Sequence, residues 1–182
     1  MKRKSSVLSA AMLAVILAIP VIQATATTLA NPDVNPPMKE AKQASSQLRN
    51  AADTLQAITQ SGGLSWQSHL WYLNSVRENV NQLGKMLVNL ENLKPHATDT
   101  QQMAIGAMRP RLVETANALT NAIELLNERP HNVYFGEYRD AVQTVSEQAD
   151  SLHQALDAVL AYEAAQAKLD SLDLLPAAEP GS

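Results

Sequence analysis

A seven-residue apolar repeat constrains this chain more than any other feature. Trp66, Leu73, Val80 and Leu87 recur at that interval with Val76, Leu83 and Leu90 interleaved, and the pattern returns as Ile105, Leu112, Leu119 and Leu126. Such spacing lays one narrow apolar stripe along a helix, the seam of a helical bundle. A strand, with its period of two, would scatter the same residues over both faces. The first stretch, from about Ser65 to Leu93, therefore reads as a helix roughly 44 Å long that Pro95 stops. The second opens with Thr98-Asp99-Thr100-Gln101, a capping-box pattern, and closes at Arg129-Pro130. Pro110 lies inside it and is expected to kink it, because the proline ring crowds the carbonyl of Gly106.

Two more amphipathic patterns flank this pair. Ahead of it, Asn35 is the expected N-cap and Pro36 the first helical residue, followed by Met38, Ala41, Leu48, Ala51, Leu55 and Ile58 on one face and Gly62-Gly63 as the stop. Behind it, a helix from about Glu137 to Leu169 carries Tyr138, Val142, Val145, Leu152, Leu156 and Val159 inward. No segment alternates as a strand between hairpin turns. The expected fold is all-α, an up-down-up-down four-helix bundle with a kinked third helix, because short connections join long amphipathic helices.

The first 26 residues read as a signal peptide. Lys2, Arg3 and Lys4 precede an uncharged apolar run from Val7 to Ile19, and Ala24-Thr25-Ala26 offers the small residues of a cleavage site, with Thr28-Leu29-Ala30 as a second choice. The run is shorter than the ~20 residues of a spanning helix. Cleavage is thus expected to deliver the chain to the periplasm or outside the cell, with no membrane span left, and to shift the net charge from -4 to -7 by removing three cations. The expected division is 1–26 signal peptide, 27–35 extended linker, 36–172 bundle and 173–182 disordered tail. An acidic chain lacks the basic surface that nucleic-acid binding requires. The absence of cysteine removes disulfide frameworks and thiolate metal sites, so stability must come from packing.

Signatures of catalysis are missing from the sequence. Gly84-Lys85 is followed by Met86 and lacks the upstream glycine of a phosphate loop, and neither a His-Glu-x-x-His zinc pattern nor a Gly-x-Ser-x-Gly elbow occurs. The expectation is a non-enzymatic binding protein with no resident cofactor. Glu147, Asp150, His153 and Asp157 follow one helical stripe, arranged as a divalent-ion site or as a solvated polar face. Met86, Met103 and Met108 fall near one another across the central hairpin, as cuprous-ion thioethers or as packing filler.

Counting along the helices from the end where the first meets the second places Met38 and His153 at a similar height, about 30 Å away. Met/His ligation from the outer helices of an exported four-helix bundle is similar to the cytochrome b562 family. The resemblance is carried by topology and these two residues. It implies haem or metal carriage as the alternative function, with Met38 and His153 as ligands.

The aromatic residues give the strongest positional signal. Of seven, only Tyr162 lies elsewhere; Trp66, Trp71, Tyr72, Tyr134, Phe135 and Tyr138 all belong to one end of the bundle, together with His69 and His131. Rings with polar tips concentrate at binding sites, and they also plug bundle ends. His69, Trp71, Tyr72, His131, Tyr134, Phe135 and Tyr138 are accordingly the candidate residues for a protein partner or a small ligand. Trp66 and His69 sit at seam positions and are expected in the core, where His69 needs a buried partner or a ligand. Trp71 lies about 140° around the helix from Trp66 and is expected outside.

Overall fold

The computed structural model describes residues 33–173 apart from 134 and 135, with backbone only for 132, 172 and 173. The expected signal peptide, the linker up to residue 32, the tail beyond 173, Tyr134 and Phe135 lie outside the described residues. Within them the chain is all-helical: α1 (Asn35–Ser61), α2 (Trp66–Leu93), α3 (Asp99–Glu128) and α4 (Gly136–Asp173), with single 3-10 turns at Lys94–His96 and Pro130–Asn132. Each helix packs on the next, and α4 returns to α1, closing a four-membered ring. Side-chain pairs fix the antiparallel register. Lys42 meets Asp157, Ser45 meets His153 and Asp53 meets Ser146 between α1 and α4, while Thr98–Glu163 and Arg111–Ser151 join α3 to α4.

The interior is the stripe that the repeat defines. Leu73, Val76, Val80, Leu83, Leu87 and Leu90 of α2 are buried against Ile105, Leu112, Leu119 and Leu126 of α3, and Leu48, Leu55, Val142, Val145, Leu152 and Leu156 complete the core. Fully burying one such side chain is worth ~1.5–3 kcal/mol, and this packing holds the fold in a chain without cysteine.

The helix ends follow local chemistry. At α3 both arms of the capping box form: Thr98 accepts from the Gln101 amide at 3.2 Å, and Gln101 accepts from the Thr98 amide at 3.1 Å. Gly62 ends α1 at φ 70°, a left-handed conformation that a side chain would penalise. α3 continues as helix through Pro110.

Two details differ from expectation. The α1 cap is Val34, buried at 4 % exposure, with Asp33 Oδ1 accepting from the Asn35 amide at 2.9 Å. Asn35 instead uses its side chain to accept from Gln101 Nε2 at 3.0 Å, an inter-helix bond that no local pattern announces. Trp66 is 37 % exposed rather than core. It is the first residue of α2, and α1 has already ended at Ser61, so the seam position has no facing turn to cover it.

Candidate functional site

At the end where α1 meets α2, a polar cluster is built into the core. Leu55 and Thr59 occupy the inward stripe of α1 four residues apart, His69 enters from the first turn of α2, and Tyr138 from the first turn of α4; all are buried. His69 Nδ1 lies 3.1 Å from the Tyr138 hydroxyl and 3.5 Å from Thr59 Oγ1. Thr59 commits its own proton to the Leu55 carbonyl at 2.7 Å, so the Tyr138 bond is the strong one and the Thr59 contact is secondary. The two rings meet edge-on, with centroids 5.5 Å apart. Three helices are thereby tied together at one point. Burial holds the His69 imidazole below the usual histidine pKa, which keeps it neutral. Burial also pushes the Tyr138 phenol well above its ordinary value.

Two residues beyond His69, Trp71 leaves the opposite face of α2, about 200° around the helix. It is 66 % exposed, and its indole stands edge-on against the half-buried Tyr72 with ring centroids 4.8 Å apart. The sequence candidates therefore divide into an inward pair, His69 and Tyr138, and an outward pair, Trp71 and Tyr72. His131 is exposed in the turn before α4 and belongs to neither.

A cleft of about 250 Å³ opens between α1 and α4 at this end, lined by Gln56, Thr59 and Gln60 on one side and by Gly136, Arg139, Asp140, Val142 and Gln143 on the other. Thr59 is shared between the cleft wall and the buried cluster. Sequence reading missed Thr59, Gln56, Gln60, Asp140 and Gln143. The available signal was a lone threonine on the apolar stripe of α1, one turn after Leu55.

The remaining candidates fall apart spatially. Met38 is fully buried, whereas His153 is half-buried and bonded through Nδ1 to Ser45 Oγ at 3.0 Å. Ser45 donates to the Lys42 carbonyl at 2.7 Å, so His153 Nδ1 is the donor in that pair. Since Ser45 faces His153 and Lys42 faces Asp157, Met38 stands level with Leu160; seven residues of rise, about 10 Å, separate it from His153 along the axis. The structure does not bring these two side chains to one height. Asp157 pairs with Lys42, whose hydrogen bond and charge hold the carboxyl below its usual range. Asp150 accepts from Gln154 and Glu147 from Gln143. Among the described residues no group of three His, Cys, Asp or Glu gathers as a metal site, and no helix is long and apolar enough to cross a membrane. Of the three methionines, Met108 is buried and Met103 is 69 % exposed, so they share no single environment.

No protein-family model, curated protein or solved structure matches this chain.

Proposed function

We propose that the chain is an exported, non-enzymatic bundle that captures a protein partner or a small ligand at its aromatic end. One observation carries the reading: Trp71 is 66 % exposed, yet its ring rests against Tyr72. An indole already fixed in place loses little rotamer freedom on binding, and tryptophan is favoured at interface hot spots. The rest of this end supports such a role. The buried Thr59–His69–Tyr138 cluster braces the helices from inside, so the outward pair stands on a rigid base. Delivery to the periplasm or beyond rests on the Lys2-Arg3-Lys4 start and the apolar run behind it. A bend of α3 at Pro110 belongs to the same reading.

Site-specific photo-crosslinking tests it. Gln67 lies one turn before Trp71 on the exposed side of α2, and exposed Met103 marks the opposite end. A photoreactive residue at Gln67, in protein expressed in its own extracytoplasmic compartment, is expected to give a defined adduct by mass spectrometry that the same probe at Met103 does not. Equal labelling from both positions, or labelling from Met103 alone, overturns the site. The same mass spectra read the N-terminus: a start at Thr27 or Asn31 supports export, and an intact Met1 overturns it.

A further inference from the structure

The α1–α4 cleft is lined by charges of both signs, Arg139 and Asp140. Arg139 and Asp140 line the same wall, and among the described residues neither side chain forms an ion pair or a hydrogen bond. Across the cleft, the Gln56 and Gln60 amides make no side-chain hydrogen bond among the described residues, whereas Gln143, Gln154 and Gln166 each donate to an acid four residues along α4. The floor is shut, because Thr59 and Val142 are buried. Gly136 lines the cleft, and a Cβ there would come to 4.0 Å from Asp140 Oδ2 among the described residues. Nothing in the backbone demands glycine there, since Gly136 does not have positive φ.

We infer that this cleft binds a small zwitterion, a free α-amino acid, with Arg139 taking the carboxylate, Asp140 the ammonium, and the Gln56 and Gln60 amides completing the hydrogen bonds. The chemistry follows from the pairing. A planar guanidinium donates two parallel N–H bonds to a carboxylate, and an ionised acid is the strongest acceptor for an ammonium. A ligand bearing both charges on one carbon neutralises two protein groups that line one wall without touching each other. Size points the same way, because about 250 Å³ falls below the ~300–1,000 Å³ of sites for drug-sized ligands. The cleft lies on α1 and α4 while Trp71 and Tyr72 lie on α2, so this inference goes beyond the aromatic-end reading and is tested apart from it.

The experiment is isothermal titration of the mature full chain with each of the twenty proteinogenic L-amino acids, and with propionate and ethylamine as single-charge probes. Saturable binding of at least one amino acid is expected, with no binding of either single-charge probe at the same concentrations. Arg139→Gln and Asp140→Asn should each weaken that binding about tenfold or more at unchanged melting temperature. Gly136→Leu, which fills the mouth, should abolish it. If none of the twenty binds, if propionate binds as tightly as the amino acid, or if the charge-removing variants bind like the parent chain, the assignment is overturned.

Discussion

Where α2 turns into α3, the inward polar groups satisfy one another. Gln101, 3 % exposed, donates to both Asn35 and Glu163, and Thr98 donates to the other oxygen of Glu163, so the starts of α1 and α3 are clamped onto α4. At the aromatic end the inward groups are also paired, as Thr59, His69 and Tyr138, but the outward ones are not. Trp71 is a large exposed indole, and Gln56, Gln60, Arg139 and Asp140 line a cleft without partners among the described residues. At both ends, then, inward polar groups are bonded across helices. The exposed apolar groups differ in arrangement: at the aromatic end Trp71 stands edge-on against a second ring, Tyr72, whereas Met103, Tyr162 and Leu169 are the exposed ones toward the other end.

The comparison breaks most readily at Tyr138. Tyr138→Ala removes a buried ring and should cost about 3–5 kcal/mol in chemical denaturation. Tyr138→Phe keeps the ring but removes the partner of His69 Nδ1, and should cost about 1–3 kcal/mol. If the phenylalanine variant is as stable as the parent, the hydroxyl does not brace this end. At the opposite end, Gln101→Ala dissolves the capping box and the bonds to Asn35 and Glu163, for a loss of roughly 1–2 kcal/mol. A loss there larger than that of Tyr138→Ala would reverse the ranking of the two ends.

The fold was legible because its signals are local. The heptad repeat, the capping box at Thr98 and the glycine stop at Gly62 are each written within a few residues, and the helices follow them. The site was only half legible. Six aromatic positions pointed to one end of the bundle, but whether a ring faces in or out depends on what a neighbouring helix covers, and Trp66 is 37 % exposed because α1 ends before it can cover that turn. The partner of His69 comes from a helix 69 residues away, and the partner of His153 from one 108 residues away. Such pairs depend on inter-helix register, which a count along separate helices misses by two turns, as Met38 and His153 demonstrate.

A pH titration sharpens the comparison. His69 has its folded pKa lowered by burial, so above the ordinary value of about 6.5 it is neutral in both folded and unfolded states and its contribution is fully present. As pH falls through about 6.5 the unfolded chain takes up the proton first, and stability declines until the folded value is passed. Asp157 behaves oppositely. Its folded pKa is depressed by Lys42, so its contribution is present above the ordinary 3.8 and is lost only below it. Melting curves should therefore show a first loss beginning near pH 6.5 that His69→Gln flattens, and a separate, more acidic loss that Asp157→Asn flattens. If His69→Gln leaves the first step unchanged, the buried imidazole is not its source.

The smallest expected effect on stability falls on the residue expected to matter most for binding. Trp71 stands 66 % exposed on the side of α2 away from the core, so Trp71→Ala deletes little buried surface and should move stability by no more than about 0.5 kcal/mol. Tyr72, the ring it rests against, is half-buried among core-flanking residues and keeps its place without it. The adduct trapped from Gln67 should nevertheless disappear, because the probe would report a partner that no longer finds its anchor. The two readouts separate the explanations for an exposed indole. A chain that melts early shows that Trp71 shields the end of the bundle as a plug. A chain that melts normally and still yields the adduct shows that the contact lies elsewhere on α2. Normal melting with loss of the adduct is the one combination that a structural role does not produce.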